Sequence, residues 1–204
     1  MFLVHFSFFR LNSQIKFQKI KIALKVNQKI EYHFINKINN CTKMDKVEQP
    51  HVNANGHIYF YREYEHNGIF SNFYASPIAL KEKQWPTTEH YFQAQKFSGT
   101  EKEELIRLAS TPSESFKLGR QRDDEYPLRK DWESVKDEVM YEALKAKFTQ
   151  HKDLQKFLLS TGDAKIIEHT QKDKYWADGG DGSGKNMLGI LLMNLRNELK
   201  AKQK

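Results

Sequence analysis

The chain has one cysteine, Cys41, among its 204 residues. That excludes an intramolecular disulfide framework and a cysteine-built zinc site, and it fits a reducing compartment. No apolar run is long enough to span a bilayer. The eight histidines show no H-E-x-x-H and no other metal-ligand spacing. Basic charge is scarce where the net +7 suggests otherwise. Residues 1–43 hold eight Lys or Arg against a single acid, Glu31, and the remainder is balanced. The high isoelectric point therefore says nothing about the main body, and a nucleic-acid surface there loses its chief support.

The first 43 residues also lack glycine and proline. They fail as a secretory signal, because no basic stretch precedes the short apolar run and no small-residue cleavage site follows. We read residues 1–50 as a basic N-terminal extension, either unstructured or spurious, with Met44 as the working start. An organelle address ranks second, since acids are nearly absent, although such peptides favour Arg and Ser over Lys and Asn. Residues 51–204 form the domain.

Within that domain the pattern is dense. "HIYFYREYE" has the aromatic and β-branched content of a strand. Short extended pieces are expected around Phe70–Phe73 and Pro77–Leu80. "TEKEELIRLASTPSESFKLGRQ" predicts two short helices capped by Thr100 and Ser113 and broken at Thr111-Pro112. Trp132, Val135, Val139, Ala143 and Ala146 recur at helical spacing, and a further helix runs from near His151 to Gly162. "AKIIEHT" and "KYWADGG" read as strands, and "NMLGILLMNLRNEL" as a closing amphipathic helix. A few strands and about six helices make one α+β domain, mostly helical with a small sheet.

Three stretches could carry chemistry. In "QWPTTEHYFQAQKF" Thr88 is the expected cap, with Glu89 in the first turn and Gln93 and Lys96 on its face at i+4 and i+7. A first-turn glutamate is ordinarily a dipole partner, worth ~0.3–1 kcal/mol, and the same field is expected to keep Glu89 ionised. The loop "WADGGDGSGKN" can aim backbone N–H groups at a phosphate, and is equally a tight surface turn. Asn186 stands where a nucleotide-triphosphatase loop needs Ser or Thr. Asp178, before Gly-Gly, reads alone as a turn stabiliser. In "LGRQRDDEYPLRKDW", Arg120, Arg122 and Arg129 offer forked donors for phosphate, or surface pairs for the neighbouring acids.

Together these stretches resemble the YbiA-like, or NADAR, domain family. "FSNFYASPI", "WPTTEHYFQAQKF", "LGRQR" with "PLRKDWESVKDEVM", "ALKAKFTQH" and "EHTQKDKYWADGGDGSGKNMLGILLMNLR" run in family order over about residues 58 to 199. The acidic "DDEY" insertion and the N-terminal extension depart from the family pattern.

The resemblance implies an N-glycosidase acting on a ribose that carries phosphate. The substrates it implies are the phosphoribosylamino-pyrimidine intermediates of early riboflavin biosynthesis, or ADP-ribose on a guanine base, free or in DNA. It implies no cofactor, no metal, no membrane and no obligate protein partner, and a cytoplasmic setting. Carried over by motif, Glu89 is the principal carboxylate, and Asp178 orients ribose hydroxyls or helps activate water. Asn72 bonds ribose or base edges, and Gln93 and Lys96 line the site, with Lys96 on phosphate. Trp132 and Trp176 stack the base, while Lys185 and Asn186 close the glycine loop on phosphate. The alternative is a module that binds ADP-ribose or a nucleotide without turning it over. A nucleic-acid binder using the basic N-terminus is the third reading.

Overall fold

The computed structural model describes residues 49–122 and 124–202. The extension expected over 1–50 lies outside the described residues except at its last two positions. The observed order is β1 (His57–Phe60), a 3-10 turn (Gly68–Phe70), β2 (Ile78–Leu80), β3 (Lys83–Trp85), α1 (Thr88–Gln95), α2 (Glu101–Arg107) and α3 (Pro112–Arg120). It continues with α4 (Trp132–Gln150), α5 (Lys152–Ser160), β4 (Lys165–Glu168) and α6 (Met187–Ala201). Among the described residues, six helices and two small sheets make the mixed class expected.

β1 and β4 pair in parallel, His57 opposite Lys165 and Phe60 opposite Glu168. Ile58, Phe60 and Ile166 point into the core from this pair. β2 and β3 form an antiparallel hairpin closed by Lys81 and Glu82, at φ of 51° and 60°. Two positive-φ residues give the twist a two-residue hairpin favours, here without the usual Asn-Gly.

The long α4 is the central rod, packing against α1, α5, α6 and β2. Phe70 anchors the core, with ring centres 5.6 Å from Phe60, 6.2 Å from Phe148 and 5.5 Å from Phe157. At 0% exposure, Lys147 of α4 donates to the Ser71 carbonyl at 2.9 Å. It thereby holds the segment that leads into Asn72.

Local differences from the sequence expectations have local causes. Phe70–Phe73 is not extended: Phe70 ends the 3-10 turn, and Ser71 to Tyr74 make a tight turn in which the Ser71 hydroxyl accepts from the Phe73 amide. The cap of α3 is Thr111, whose hydroxyl accepts from Glu114 N–H, rather than Ser113. Pro112 takes the first helical position, where a missing N–H matters least. "KYWADGG" forms no strand, because Asp173 Oδ1 accepts the amides of both Tyr175 and Trp176 and curls the chain.

Asn186 stands at φ 52°, ψ 43°, just before α6. Its amide donates to the Ile166 carbonyl at 2.9 Å and its oxygen accepts from Glu168 N–H at 2.9 Å. One side chain thus staples the start of α6 to β4. Asn186→Ala removes both bonds and leaves a non-glycine residue in the left-handed region. It should lower unfolding free energy by about 1–3 kcal/mol in a urea titration, with unchanged slope.

Candidate functional site

α1 is buried along its whole length. α2, α3, α4 and β3 all pack on it, so its polar residues have no bulk water to face. Its cap is Thr87 rather than Thr88. The Thr87 hydroxyl accepts from His90 N–H at 3.3 Å and donates to His90 Nδ1 at 2.8 Å. That leaves Nε2–H to donate to the Ala109 carbonyl at 3.2 Å. Thr88 is the first helical residue, and its hydroxyl donates to Asn72 Oδ1 at 3.0 Å. The Asn72 carbonyl in turn accepts from Glu89 N–H at 3.1 Å.

From this fixed start, Glu89, Gln93 and Lys96 form one relay. Gln93 Nε2 donates to Glu89 Oε1 at 2.7 Å, and Lys96 Nζ donates to Gln93 Oε1 at 2.5 Å. The three are 5%, 3% and 7% exposed. Gly119 of α3 lies directly on Gln93, where any Cβ would overlap the carboxamide. Lys96 Nζ sits 5.5 Å from the Phe92 ring centre and 5.6 Å from that of Trp132. Phe92 also meets Trp176 edge-on, at 5.3 Å.

Burial decides the ionisation of this relay. It raises Glu89 to about 7, against the hydrogen bond from Gln93 and the charges of Lys96 and Arg120. It lowers Lys96 to about 8, against the charge of Glu89. The expectation that the helix field keeps Glu89 ionised is therefore corrected: removal from water outweighs a first-turn dipole.

Asp178 lies in the loop between β4 and α6. Burial alone would raise it, but His169 Nδ1–H and the Gly180 amide, both at 2.8 Å, hold it below the usual carboxylate range. At the end of β4 stands Glu168, which the sequence reading passed over. Burial, then the charges of Asp173, Glu89 and Asp178, push it up to about 8. Glu168 and His169 were legible only as part of the "EHT" block. Their signal was adjacency to a strand end facing a carboxylate loop.

At the α6 entrance the glycine loop takes the form of a tight turn, one of the two readings the sequence left open. The amides of Gly184, Lys185, Asn186, Met187 and Leu188 donate to the carbonyls of Asp178, Lys174, Ala177, Tyr175 and Trp176. The entrance of α6 is thus closed by its own chain, and Asn186 bonds β4 instead. Lys185 is exposed, its Nζ 5.0 Å from the Tyr175 ring centre.

Trp132 is 5% exposed and packs on Phe92, ring centres 5.0 Å apart, which makes it core rather than an open platform. Trp176 is half-buried. Asn72 turns its amide nitrogen to Met140 Sδ at 3.4 Å, so its described contacts organise α1. Arg129 pairs with Asp131 at 2.6 Å on the surface. Arg120 and Arg122 form no ion pair among the described residues, and both lower the Lys96 ammonium. Arg120 also acts on Glu89. Among the described residues no group of three or more His, Cys, Asp or Glu could hold a metal ion. No described helix is long and apolar enough to cross a membrane.

A family model described as the NADAR domain matches residues 59–200. The chain is 53% identical over 149 residues to the N-glycosidase YbiA of Escherichia coli (strain K12), covering 73% of this chain and 92% of that one. It is 40% identical over 155 residues to a chloroplastic riboflavin biosynthesis protein, PYRR, of Zea mays, covering 70% of this chain and 25% of that one. The solution structure of E. coli YbiA aligns with a TM-score of 0.66 and 49% identity, over 79% of this chain and 92% of that one.

Glu89 protonates more readily in the fold than in the unfolded chain, so stability falls as pH rises from about 4.5 to about 7. Glu89→Gln removes that loss. The variant should melt higher than the parent at pH 8 and match it near pH 4.5 in thermal melts.

Proposed function

The chain belongs to the NADAR domain family, and from that premise we propose that it hydrolyses the N-glycosidic bond between a phosphorylated ribose and a nitrogenous base. The single observation that carries this reading is a desolvated carboxylate, Glu89, joined through Gln93 to a cation, Lys96. Cleavage of a C–N bond at the anomeric carbon develops positive charge on the sugar, and water must be deprotonated as it adds. A carboxylate whose protonation midpoint lies near 7 suits a base that takes that proton at neutral pH. Asp178, held ionised by His169 and a backbone amide, supplies a fixed negative charge toward the sugar.

Lys96, with Arg120 and Arg122, supplies the phosphate donors; the α6 entrance does not. Trp176 is the aromatic face left for the base. Asn72 and Gln93 hold the carboxylate in place, and Lys185 reaches the substrate from outside. The substrate is a small phosphoribosyl compound, either an early riboflavin-pathway pyrimidine intermediate or ADP-ribosylated guanine. The catalytic unit is residues 51–204, and a chain started at Met44 keeps full turnover. A reducing cytoplasm is the compartment that the lone Cys41 supports.

The test is a panel of phosphoribosylamino-pyrimidines, ADP-ribosylated guanosine and ADP-ribosylated DNA, with free base assayed by chromatography. Turnover of at least one is expected, and binding without release of base would make the chain a recognition module instead. Glu89→Gln should abolish release while the protein stays folded by circular dichroism. Lys96→Met removes one charge-assisted contact and should raise KM by about 10- to 100-fold.

A further inference from the structure

Hydrolysis needs two proton movements, and the reading above accounts for one. Water gives up a proton as it adds to the anomeric carbon. The departing nitrogen must also gain one, unless it leaves as a neutral heterocycle. Glu89 serves the first movement. Asp178 is ill suited to the second, because both its oxygens already accept hydrogen bonds and it is held ionised.

Glu168 has the geometry for the second. It ends β4, two residues after the core residue Ile166 and so on the same side of the strand. Its backbone is clamped on both sides. The amide donates to Asn186 Oδ1, and the carbonyl accepts from Asp178 N–H at 2.9 Å. The carboxyl itself has no hydrogen-bond partner among the described residues. The residue is half-buried. From β1 it is paired with apolar Phe60, and from the α6 entrance it meets only a neutral amide. Glu89 from α1, and Asp173 and Asp178 from the following loop, surround it with negative charge. The charges that act on it are those acids, whereas Glu89 has Lys96 and Arg120. A carboxyl so placed stays protonated while its neighbours ionise.

We propose that Glu168 is the proton donor of the reaction, delivering its carboxyl proton to the base nitrogen as the C–N bond breaks. The water oxygen bonds the anomeric carbon, the water proton passes to Glu89, and solvent returns a proton from Glu89 to Glu168. No other reactant is required. This assignment rests on the hydrolase reading. It also restricts the substrate class to bases that leave as anions unless protonated, such as aminopyrimidines and purines.

The experiment compares two phosphoribosyl substrates, one with an aminopyrimidine and one with a pyridinium base, which leaves neutral without a proton. Glu168→Gln should cut kcat on the aminopyrimidine by about 10²- to 10⁴-fold and on the pyridinium substrate by less than about tenfold. In the wild type, the ratio of the kcat/KM values, aminopyrimidine over pyridinium, should fall as pH rises through about 8, because Lys96 acts on the phosphate of both substrates and cancels in the ratio. That ratio decides the matter even if the variant fails to fold. An equal loss on both substrates, or a ratio that stays flat through pH 8, overturns the proton-donor role and leaves the hydrolase reading standing. A wild type that releases base from neither substrate overturns the hydrolase reading, and this assignment with it.

Discussion

The enclosure of a polar helix shapes everything else in the molecule. α1 carries a carboxylate, an imidazole, two glutamines and the start of a lysine relay, yet packing surrounds it on every side. A buried polar group must find a partner within the protein or lose free energy. Each of its side-chain bonds therefore answers a desolvation cost. Thr87 and His90 satisfy each other, Gln93 links Glu89 to Lys96, and Lys81 donates to Gln95 at 2.8 Å. Incomplete compensation leaves Glu89 and Lys96 titrating far from their ordinary ranges.

That enclosure also ties the site to distant elements. Lys147 holds the Ser71 carbonyl, the next residue's carbonyl holds the Glu89 amide, and α3 presses Gly119 against Gln93. In the loop after β4, Asn186 fixes that strand while Asp178 fixes His169. This loop and α1 share no described hydrogen bond between carboxylates. They meet through charge, which is why Glu168 responds to groups on both.

Much of this was legible in the sequence, and the failures are instructive. Helical spacing from Trp132 to Ala146 located α4, and Thr100 marked α2 correctly, because both signals are local. "QWPTTEHYFQAQKF" located the site helix but not its environment: a stripe of Glu, Gln and Lys looks the same on an exposed face as inside the fold. Ionisation was misjudged for that reason, since a dipole is local and desolvation is not. The glycine loop left two readings open. Its composition suits an anion cradle or a tight turn; the carbonyls that occupy its amides belong to residues 174–178, and only the folded turn brings them there. Glu168 left only its place at a strand end, because the three acids whose charge acts on it are assembled by the fold, not the chain.

The aromatic packing around α1 has an optical consequence. The chain has three tryptophans. Trp85 is fully enclosed, its indole N–H bonded to the Leu80 carbonyl. Trp132 and Trp176 both lean on Phe92, and Lys96 lies close to the Trp132 ring. Trp85 meets Tyr91 edge-on, so all three tryptophans sit against the same helix as Glu89, and a cation that titrates near 8 lies beside one of them. Emission from this protein is a local gauge of the charge state and occupancy of one helix, with no label attached.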